Sequence, residues 1–194
     1  QPIFISAHMS GAHAFDFLFS AAIPNSYTDK QVIDFINSKL NPKLSSSKNY
    51  DDATIYTAKF NTTRASYAFH EGIFIISKSA ILIEDAIRQI NSGTSLLESI
   101  DFQKIVHTAG KNIDANLYVN YKVLPNILTT FFQDKHSTVI ESMSDLANWT
   151  EIDLSLKPNA VTFNGFTYSN DTINNYMNIF VDQKPTKQEL LKIL

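Results

Sequence analysis

Apolar residues that recur at every second position, segment after segment, constrain the fold of this chain more than any other feature. In segment 14–23, Phe15, Phe17 and Phe19 follow this pattern. A period of two predicts a strand with one buried face, and two such segments around a short turn predict a hairpin. The pattern predicts strands over 2–9, 14–23, 53–60, 64–70, 73–78 and 114–121, and a hairpin over 151–168.

Helical segments stand between these strands. A Ser or Thr followed three residues later by Glu or Gln, the capping-box pattern, marks helix starts near Thr28, Ser95 and Thr186. Hairpins with helices between them predict an α+β fold, in which a mainly antiparallel sheet has one face covered by helices. The order of elements also suggests duplicated strand–helix–strand halves. Further apolar residues at helical spacing lie over 79–93, 123–132 and 137–147.

The last hairpin carries the most specific expectation about burial. Pro158-Asn159 is predicted to form its turn, and Gly165 indicates a β-bulge in its second strand. Glu151 and Asp153 fall on the alternate positions, so they are predicted to face solvent. The apolar residues predicted to face the core are Ile152, Leu154, Leu156, Val161 and Phe163.

The chain shows no linker that would separate two domains. Its 194 residues are therefore predicted to form a single α+β domain over 1–182. Within it, the polar stretch 43–52, which contains three consecutive serines, is expected to be a mobile loop. Residues 183–194 begin a helix that stops within two turns, so we expect further chain beyond it, as in a truncated protein.

Charge and residue usage exclude several classes of function. The net charge is −3, which argues against a nucleic-acid partner. No cysteine is present, so thiolate nucleophiles and thiolate metal sites are excluded. The sequence lacks the nucleophile elbow, the zinc-protease helix and the glycine-rich phosphate loops. We therefore expect no catalytic motif and no cofactor.

Several histidines and acids are candidates for catalysis or metal binding, but each has a simpler structural explanation. His8, His13 and Asp16 lie around the first turn, but their spacing matches no zinc site, so we expect no metal there. His70 and Glu71 are interpreted as exposed residues of a hairpin turn. Paired carboxylates for sugar hydrolysis need not be close in sequence.

Aromatic residues near the last hairpin form the candidate ligand site. Trp149, Tyr168, Tyr176 and Phe180 accompany an Asn-rich stretch from Asn170 to Asn178. Stacking rings and amide side chains are able to bind sugars, although aromatics are also ordinary strand residues. These four are the possible ligand-contacting side chains.

Two blocks carry a family resemblance: IRQINSGTSLLESIDFQKIVHTAGKNIDANLYVNYKVLPNIL, residues 87–128, and NWTEIDLSLKPNAVTFNGFTYSND, residues 148–171. They resemble an uncharacterised family of Bacteroidales cell-envelope proteins, catalogued as a domain of unknown function. The resemblance implies a longer parent protein that faces the periplasm and is held at the membrane by an N-terminal segment outside this chain. It supplies no catalytic residues.

Two functions therefore stay open. The first is a non-catalytic envelope module that binds a protein or glycan partner or spaces other domains. The alternative is a hydrolase that acts on an envelope or glycan substrate, with a site dispersed over loops. A pocket holding titratable groups with shifted pKa values would favour the enzyme, and an exposed apolar patch would favour the module.

Overall fold

The computed structural model describes residues 2–24, 26–40, 43–132 and 136–170. The chain divides into two compact units, unit 1 over 1–95 and unit 2 over 96–194. That these form the single domain expected over 1–182 stays a prediction. The helix expected over 183–194 lies outside the described residues.

Unit 1 contains a six-stranded antiparallel sheet with the strand order β1-β2-β6-β5-β4-β3. This confirms the predicted α+β class. The sheet is built mainly from hairpins, since four of the five strand pairs join strands that are consecutive in sequence. The elements are β1 (Ile3–Gly11), β2 (Ala14–Ala22), α1 (Asp29–Leu40), β3 (Lys43–Tyr50), β4 (Ala53–Phe60), β5 (Thr63–His70), β6 (Ile73–Ser77) and α2 (Ala80–Ser92).

Helices pack on both faces of this sheet, where the sequence indicated one covered face. Ile83 and Ile87 of α2 belong to a buried cluster with Ala68 of β5. Ile36 of α1 belongs to another buried cluster with Tyr67, the residue before Ala68. Consecutive strand residues point to opposite faces, so α1 and α2 lie on opposite sides of the sheet.

Both helices of unit 1 have the ends that the sequence predicts. The backbone N–H of Thr28 donates to Gln31 Oε1 at 2.8 Å, and the N–H of Gln31 donates to Thr28 Oγ1 at 3.4 Å. This reciprocal pair is a capping box. Gly93 follows α2 with φ of 66°, a left-handed conformation that glycine adopts at low cost.

The prediction of a mobile loop over 43–52 was wrong, because these residues form the edge strand β3 and its turn. Two of its side chains bond to α2. Lys48 pairs with Glu84, and Arg88 donates to the Tyr50 hydroxyl at 3.1 Å. An edge strand held in this way lacks the apolar alternation by which strands are recognised.

Unit 2 contains a three-stranded antiparallel sheet with the order β7-β8-β9, on which one helix packs. That helix, α3, begins after Ser99, whose hydroxyl accepts the N–H of Phe102 at 3.4 Å. The elements are a 3₁₀ turn (Leu96–Glu98), α3 (Ile100–Val106), β7 (Ala115–Asn120), α4 (Leu124–Leu128), α5 (Ser137–Glu141), a second 3₁₀ turn (Ser142–Asp145), β8 (Ala147–Lys157) and β9 (Ala160–Ser169).

The predicted orientation of the last hairpin was wrong. Glu151 has no exposed surface, whereas Leu156, Val161 and Phe163 are 59%, 55% and 72% exposed. Ile152 and Leu154 are half-buried and lie on the same face of the sheet as Leu156, Val161 and Phe163. Asp153 lies on the opposite face, with Glu151. The burial of Glu151 and the exposure of Leu156, Val161 and Phe163 are therefore the reverse of the prediction.

Aromatic packing explains which face of β8 is covered. The Phe102 ring of α3 lies 4.9 Å from the Trp149 ring and 5.3 Å from the Tyr118 ring, centroid to centroid. Trp149 is two residues from Glu151 on β8, and Tyr118 is paired with Glu151 across the sheet, so all three share one face. The helix therefore covers the aromatic face, which also carries the acids.

Gly165 does not mark a bulge, so that prediction was also wrong. It pairs in continuous register with Ile152, and the register shift of this hairpin lies between Ala147 and Trp149. A Cβ at position 165 would lie 2.1 Å from the Glu151 carbonyl oxygen. Glycine is required there because the neighbouring backbone leaves no room for a side chain.

Candidate functional site

A cleft of about 370 Å³ opens in unit 1. Its volume lies within the range of small-ligand pockets. Residues of α1, the start of β4, the end of β5 and two hairpin turns form its wall. They are Ile33, Asp52, Ala53, Thr54, Tyr56, Phe69, His70, Glu71 and Gly72.

Sheet topology brings the two acidic turns of the cleft together. Strands β4 and β5 are antiparallel, so the turn before β4 and the turn after β5 lie at the same end of the sheet. Asp52 belongs to the first turn and Glu71 to the second. Asp51 and Glu71 both have φ of 47°, in the left-handed region that most side chains avoid. Strained backbone of this kind is often found at binding sites.

His70 forms a buried part of the cleft wall. It is 6% exposed, and its Nε2 lies 2.5 Å from Asn91 Oδ1 in the last turn of α2. Because the amide oxygen accepts, the hydrogen of the neutral ring is on Nε2 and Nδ1 is an acceptor. The expectation of an exposed turn residue was therefore wrong for His70, although Glu71 beside it is exposed.

The charged side chains of the cleft have one sign. Asp52 and Glu71 are carboxylates, and no Lys or Arg is among the nine described residues that line the cleft. Tyr56 supplies an aromatic ring, which stacks on the Tyr67 ring at a centroid distance of 5.4 Å. The cleft is thus a concave surface rich in hydrogen-bond acceptors with one aromatic wall.

A second pair of acids, Glu151 and Asp153, lies in unit 2 and is called the carboxyl pair below. Asn116 Nδ2 donates to Glu151 Oε1 at 3.3 Å and to Asp153 Oδ1 at 2.7 Å. The Gly110 N–H donates to both Asp153 oxygens at 3.0 Å. The Thr108 hydroxyl lies 3.5 Å from Glu151 Oε2 and donates to the Ile105 carbonyl at 2.7 Å. Both acids therefore have partners within the protein.

The carboxyl pair has pKa values displaced in opposite directions. Burial raises the pKa of Glu151 above its ordinary value, and the hydrogen bond to Asp153 raises it further. The Gly110 N–H lowers the pKa of Asp153, and the hydrogen bond to Glu151 lowers it further. Paired carboxyls with separated pKa values are typical of hydrolases. However, Glu151 has no surface that a substrate could contact.

One of the two histidines near the first turn, His8, lies beside an acid. His8 pairs with Asp16 across β1 and β2, and its Nε2 lies 2.7 Å from Ser6 Oγ. Burial lowers the pKa of His8, and Asp85 opposes that shift. Among the described residues, no three His, Cys, Asp or Glu side chains form a metal-binding group. That no metal binds here stays a prediction.

Two of the four candidate aromatics lie beside α3. Trp149 packs on Phe102 as described, and it pairs with Tyr168 across β8 and β9. The Lys104 ammonium group donates to the Tyr168 hydroxyl and lies 4.1 Å from the centre of that ring. Both rings are half-buried. Tyr176 and Phe180 lie outside the described residues, so ligand contact by the four stays a prediction.

An apolar strip also lies on the β1–β2 hairpin. Ile5 pairs with Phe19, which pairs with Ile76 of β6, so these residues share the face on which α1 lies. Ile5, Phe17 and Phe19 are between 41% and 62% exposed. An exposed apolar strip is a feature of binding proteins, but the structure does not indicate what would cover this one.

Sequence reasoning noticed parts of the cleft without joining them. The turn His70-Glu71 was identified, and Asp52 lies at the end of the stretch 43–52 that was expected to be a loop, but the two are about 20 residues apart. The available signal was the short gap between the predicted strands 53–60 and 64–70, since strands joined by a short turn pair as a hairpin and bring the two turns to one end of the sheet. No pattern in the sequence indicated that α2 would bury His70.

Comparisons with protein-family models, curated proteins and solved structures find no match to this chain. No helix in the described ranges is both long and apolar enough to cross a membrane.

Proposed function

We propose that this chain is a non-catalytic binding module whose cleft in unit 1 holds an alkylammonium group of its ligand. The observation that carries the proposal is the composition of the cleft wall. Two carboxylates, Asp52 and Glu71, line a concave surface, and the described residues that line it include no lysine or arginine. A ligand cation would neutralise charge that the wall itself leaves uncompensated.

The remaining polar groups of the cleft suit the same ligand. An ammonium group has three donors and no acceptor, and it therefore matches a wall of carboxylate, hydroxyl and imidazole acceptors. Thr54 and Tyr56 contribute hydroxyl groups, and the Tyr56 ring offers a face to a cation. Tyr56 is held by stacking on Tyr67 and His70 by Asn91, so much of the wall is positioned before a ligand binds.

Accessibility favours binding over hydrolysis. Catalysis by two carboxyl groups requires both to reach the scissile bond. The acids with displaced pKa values, Glu151 and Asp153, do not line the cleft, and Glu151 is completely buried. The hydrolase alternative therefore draws no support from the pair that most resembles a catalytic one.

The cellular setting is part of the proposal and rests on the resemblance of segments 87–128 and 148–171. A periplasmic module of a membrane-anchored envelope protein would meet protein and glycan partners. Both carry the proposed group, as a lysine side chain or as an amino sugar. Fractionation of cells that express the parent protein tests the setting, and a cytoplasmic soluble pool would contradict it.

Nuclear magnetic resonance tests the proposal with butylammonium and its neutral counterpart butanol as probes. Butylammonium is expected to shift the amide signals of Ala53, Glu71 and Gly72 with millimolar affinity, and butanol is not. The double variant Asp52→Asn/Glu71→Gln should weaken binding by about fivefold or more, as expected for the loss of two exposed ion pairs. Asp34→Asn removes an exposed acid of α1 that does not line the cleft, and it should leave the affinity unchanged.

Further ligands in the same experiment distinguish the source of the ammonium group. Glucosamine and lysine amide are compared with their N-acetylated forms, which lack the charge. Equal binding of charged and neutral forms would contradict the ammonium assignment, and the absence of any shift at the cleft with every probe would contradict the binding site. Release of reducing ends from an amino-sugar oligomer, lost in Asp52→Asn, would favour the hydrolase instead.

A further inference from the structure

Glu151 is a completely buried acid that the cleft does not use. It lies on β8 between Trp149 and Asp153, beneath α3 and the segment that follows α3. Burying a charged carboxylate costs several kcal/mol unless strong partners replace water. The partners around the carboxyl pair therefore decide whether Glu151 carries a proton.

Hydrogen-bond donors are divided unequally between the two acids. Asp153 accepts the Gly110 N–H at 3.0 Å and the Asn116 amide at 2.7 Å. Glu151 receives a longer bond of 3.3 Å from Asn116, and the Thr108 hydroxyl, 3.5 Å from Glu151 Oε2, donates to the Ile105 carbonyl at 2.7 Å instead. Short bonds from N–H donors stabilise a carboxylate, so Asp153 is the better place for the negative charge.

We propose that Glu151 keeps its proton and donates it to the Asp153 carboxylate, so that the pair forms a pH-sensitive clasp between the sheet and the segment 108–110, which opens when Glu151 ionises. In the closed clasp, one proton lies between two oxygens and one negative charge remains. In the open clasp, two carboxylates repel each other, and Asn116, the donor that they share, no longer satisfies both.

On the described elements that pack against Glu151, no cation compensates the negative charge that its ionisation would add. Neither carboxyl forms an ion pair in the described part of the chain. On α3, Lys104 donates to Tyr168 of β9, and Asp101 pairs with Lys122 at 3.8 Å. His107 and Lys111, in the segment after α3, are exposed.

The remaining titratable groups near the clasp are a phenol and an acid. Tyr118 of β7 faces the pair, and burial raises its pKa, with a further increase from the charges of Glu151 and Asp153. Asp114, before β7, accepts the N–H of Leu156 at 2.7 Å. A neutral phenol and an engaged carboxylate do not assist the ionisation of Glu151.

Gly110 shows how closely the segment approaches the sheet. A Cβ at position 110 would lie 2.5 Å from Asp153 Oδ2 and 3.1 Å from a methyl carbon of Ile113. Any side chain there would push the Asp153 carboxylate away from the backbone N–H that it accepts. Opening of the clasp should therefore be visible first at the Gly110 amide.

Carbon-13 NMR of the carboxyl groups tests the clasp in the whole chain. The Glu151 carboxyl carbon is expected to titrate above 4.5, the ordinary value, and the Gly110 amide proton to shift upfield over the same pH range. In Glu151→Gln, which keeps a donor toward Asp153, the Gly110 transition should be absent. Glu141→Gln, a change at an exposed acid of α5, should retain the transition.

Two results would overturn the proposal. One is titration of the Glu151 carboxyl at or below its ordinary value. The other is a Gly110 transition in Glu151→Gln that matches the transition of the unaltered chain. The first measurement needs no variant, so it decides the matter even if Glu151→Gln does not fold.

Discussion

The cleft of unit 1 and the carboxyl pair of unit 2 each contain two neighbouring acids. The two places differ in how the negative charge of these acids is compensated. In the pair, N–H donors from Gly110 and Asn116 satisfy the carboxyls inside the protein. In the cleft, Asp52 and Glu71 stand on turns at an open surface. The first arrangement is complete without a ligand, and the second has capacity for one.

The difference shows that a displaced pKa by itself does not identify a site. Glu151 has a raised pKa because it is enclosed, and enclosure also prevents a substrate from reaching it. A functional acid must combine an unusual environment with access. Four predictions test the contrast, and they are given in order of expected effect.

Gly165→Ala should destabilise the protein most, by about 3 kcal/mol, because the added Cβ meets the Glu151 backbone, which cannot move aside. Chemical denaturation measures the free energy of unfolding. Gly11→Ala is the matched control, since its Cβ would meet only the Ala14 methyl group at an ordinary 3.9 Å. Its cost should stay within about 0.5 kcal/mol. Equal costs would show that β8 and β9 do not pair in this register.

At a pH below the raised pKa of Glu151, Glu151→Ala should cost about 2 kcal/mol, because it removes a buried partner of Asn116 and Asp153. Glu151→Gln should cost less than half as much, since the amide keeps both the volume and a donor toward Asp153. Denaturant titration of both variants measures the difference. If Gln is as costly as Ala, Glu151 is not acting as a donor.

The pH dependence of stability should distinguish the two acids of the pair. The folded-state pKa of Glu151 is raised, so its contribution is fully present below 4.5 and is lost as pH rises through the raised value. The pKa of Asp153 is lowered, so its contribution is present above 3.8 and is lost as pH falls. Glu151→Gln should abolish the loss of stability that accompanies rising pH and keep the loss that accompanies falling pH. An unchanged loss on raising the pH of this variant would assign it to another group.

Glu71→Asn and Glu71→Asp should each stabilise unit 1 slightly, by about 0.5 kcal/mol, because Asn and Asp tolerate the left-handed φ of 47° better than Glu does. Thermal unfolding measures the gain. Only Asn removes the charge, so butylammonium should bind more weakly to Glu71→Asn than to Glu71→Asp. Equal affinities would remove Glu71 from the proposed site.

Local structure was largely predictable because its causes are local. The period of two in 14–23 and 53–60 and the capping residues of α1 act within a few positions, and the strands and cap are where these signals place them. The edge strand β3 was missed for the same reason. Its bonds run to Glu84 and Arg88 of α2, more than 35 residues away, and they leave no trace in its own pattern.

Alternation by itself determined that β8 has two unlike faces, but only the tertiary structure decided which face is covered. Apolar area alone favours burial of the Ile152 and Leu154 face. The structure instead places α3 over Trp149, where Phe102 packs against the ring, and internal donors offset the cost of enclosing Glu151. The cleft has the same origin, since Asp52 and Glu71 meet only through the pairing of β4 with β5. Burial and proximity depend on contacts distant in sequence, whereas periodicity records only which residues share a side.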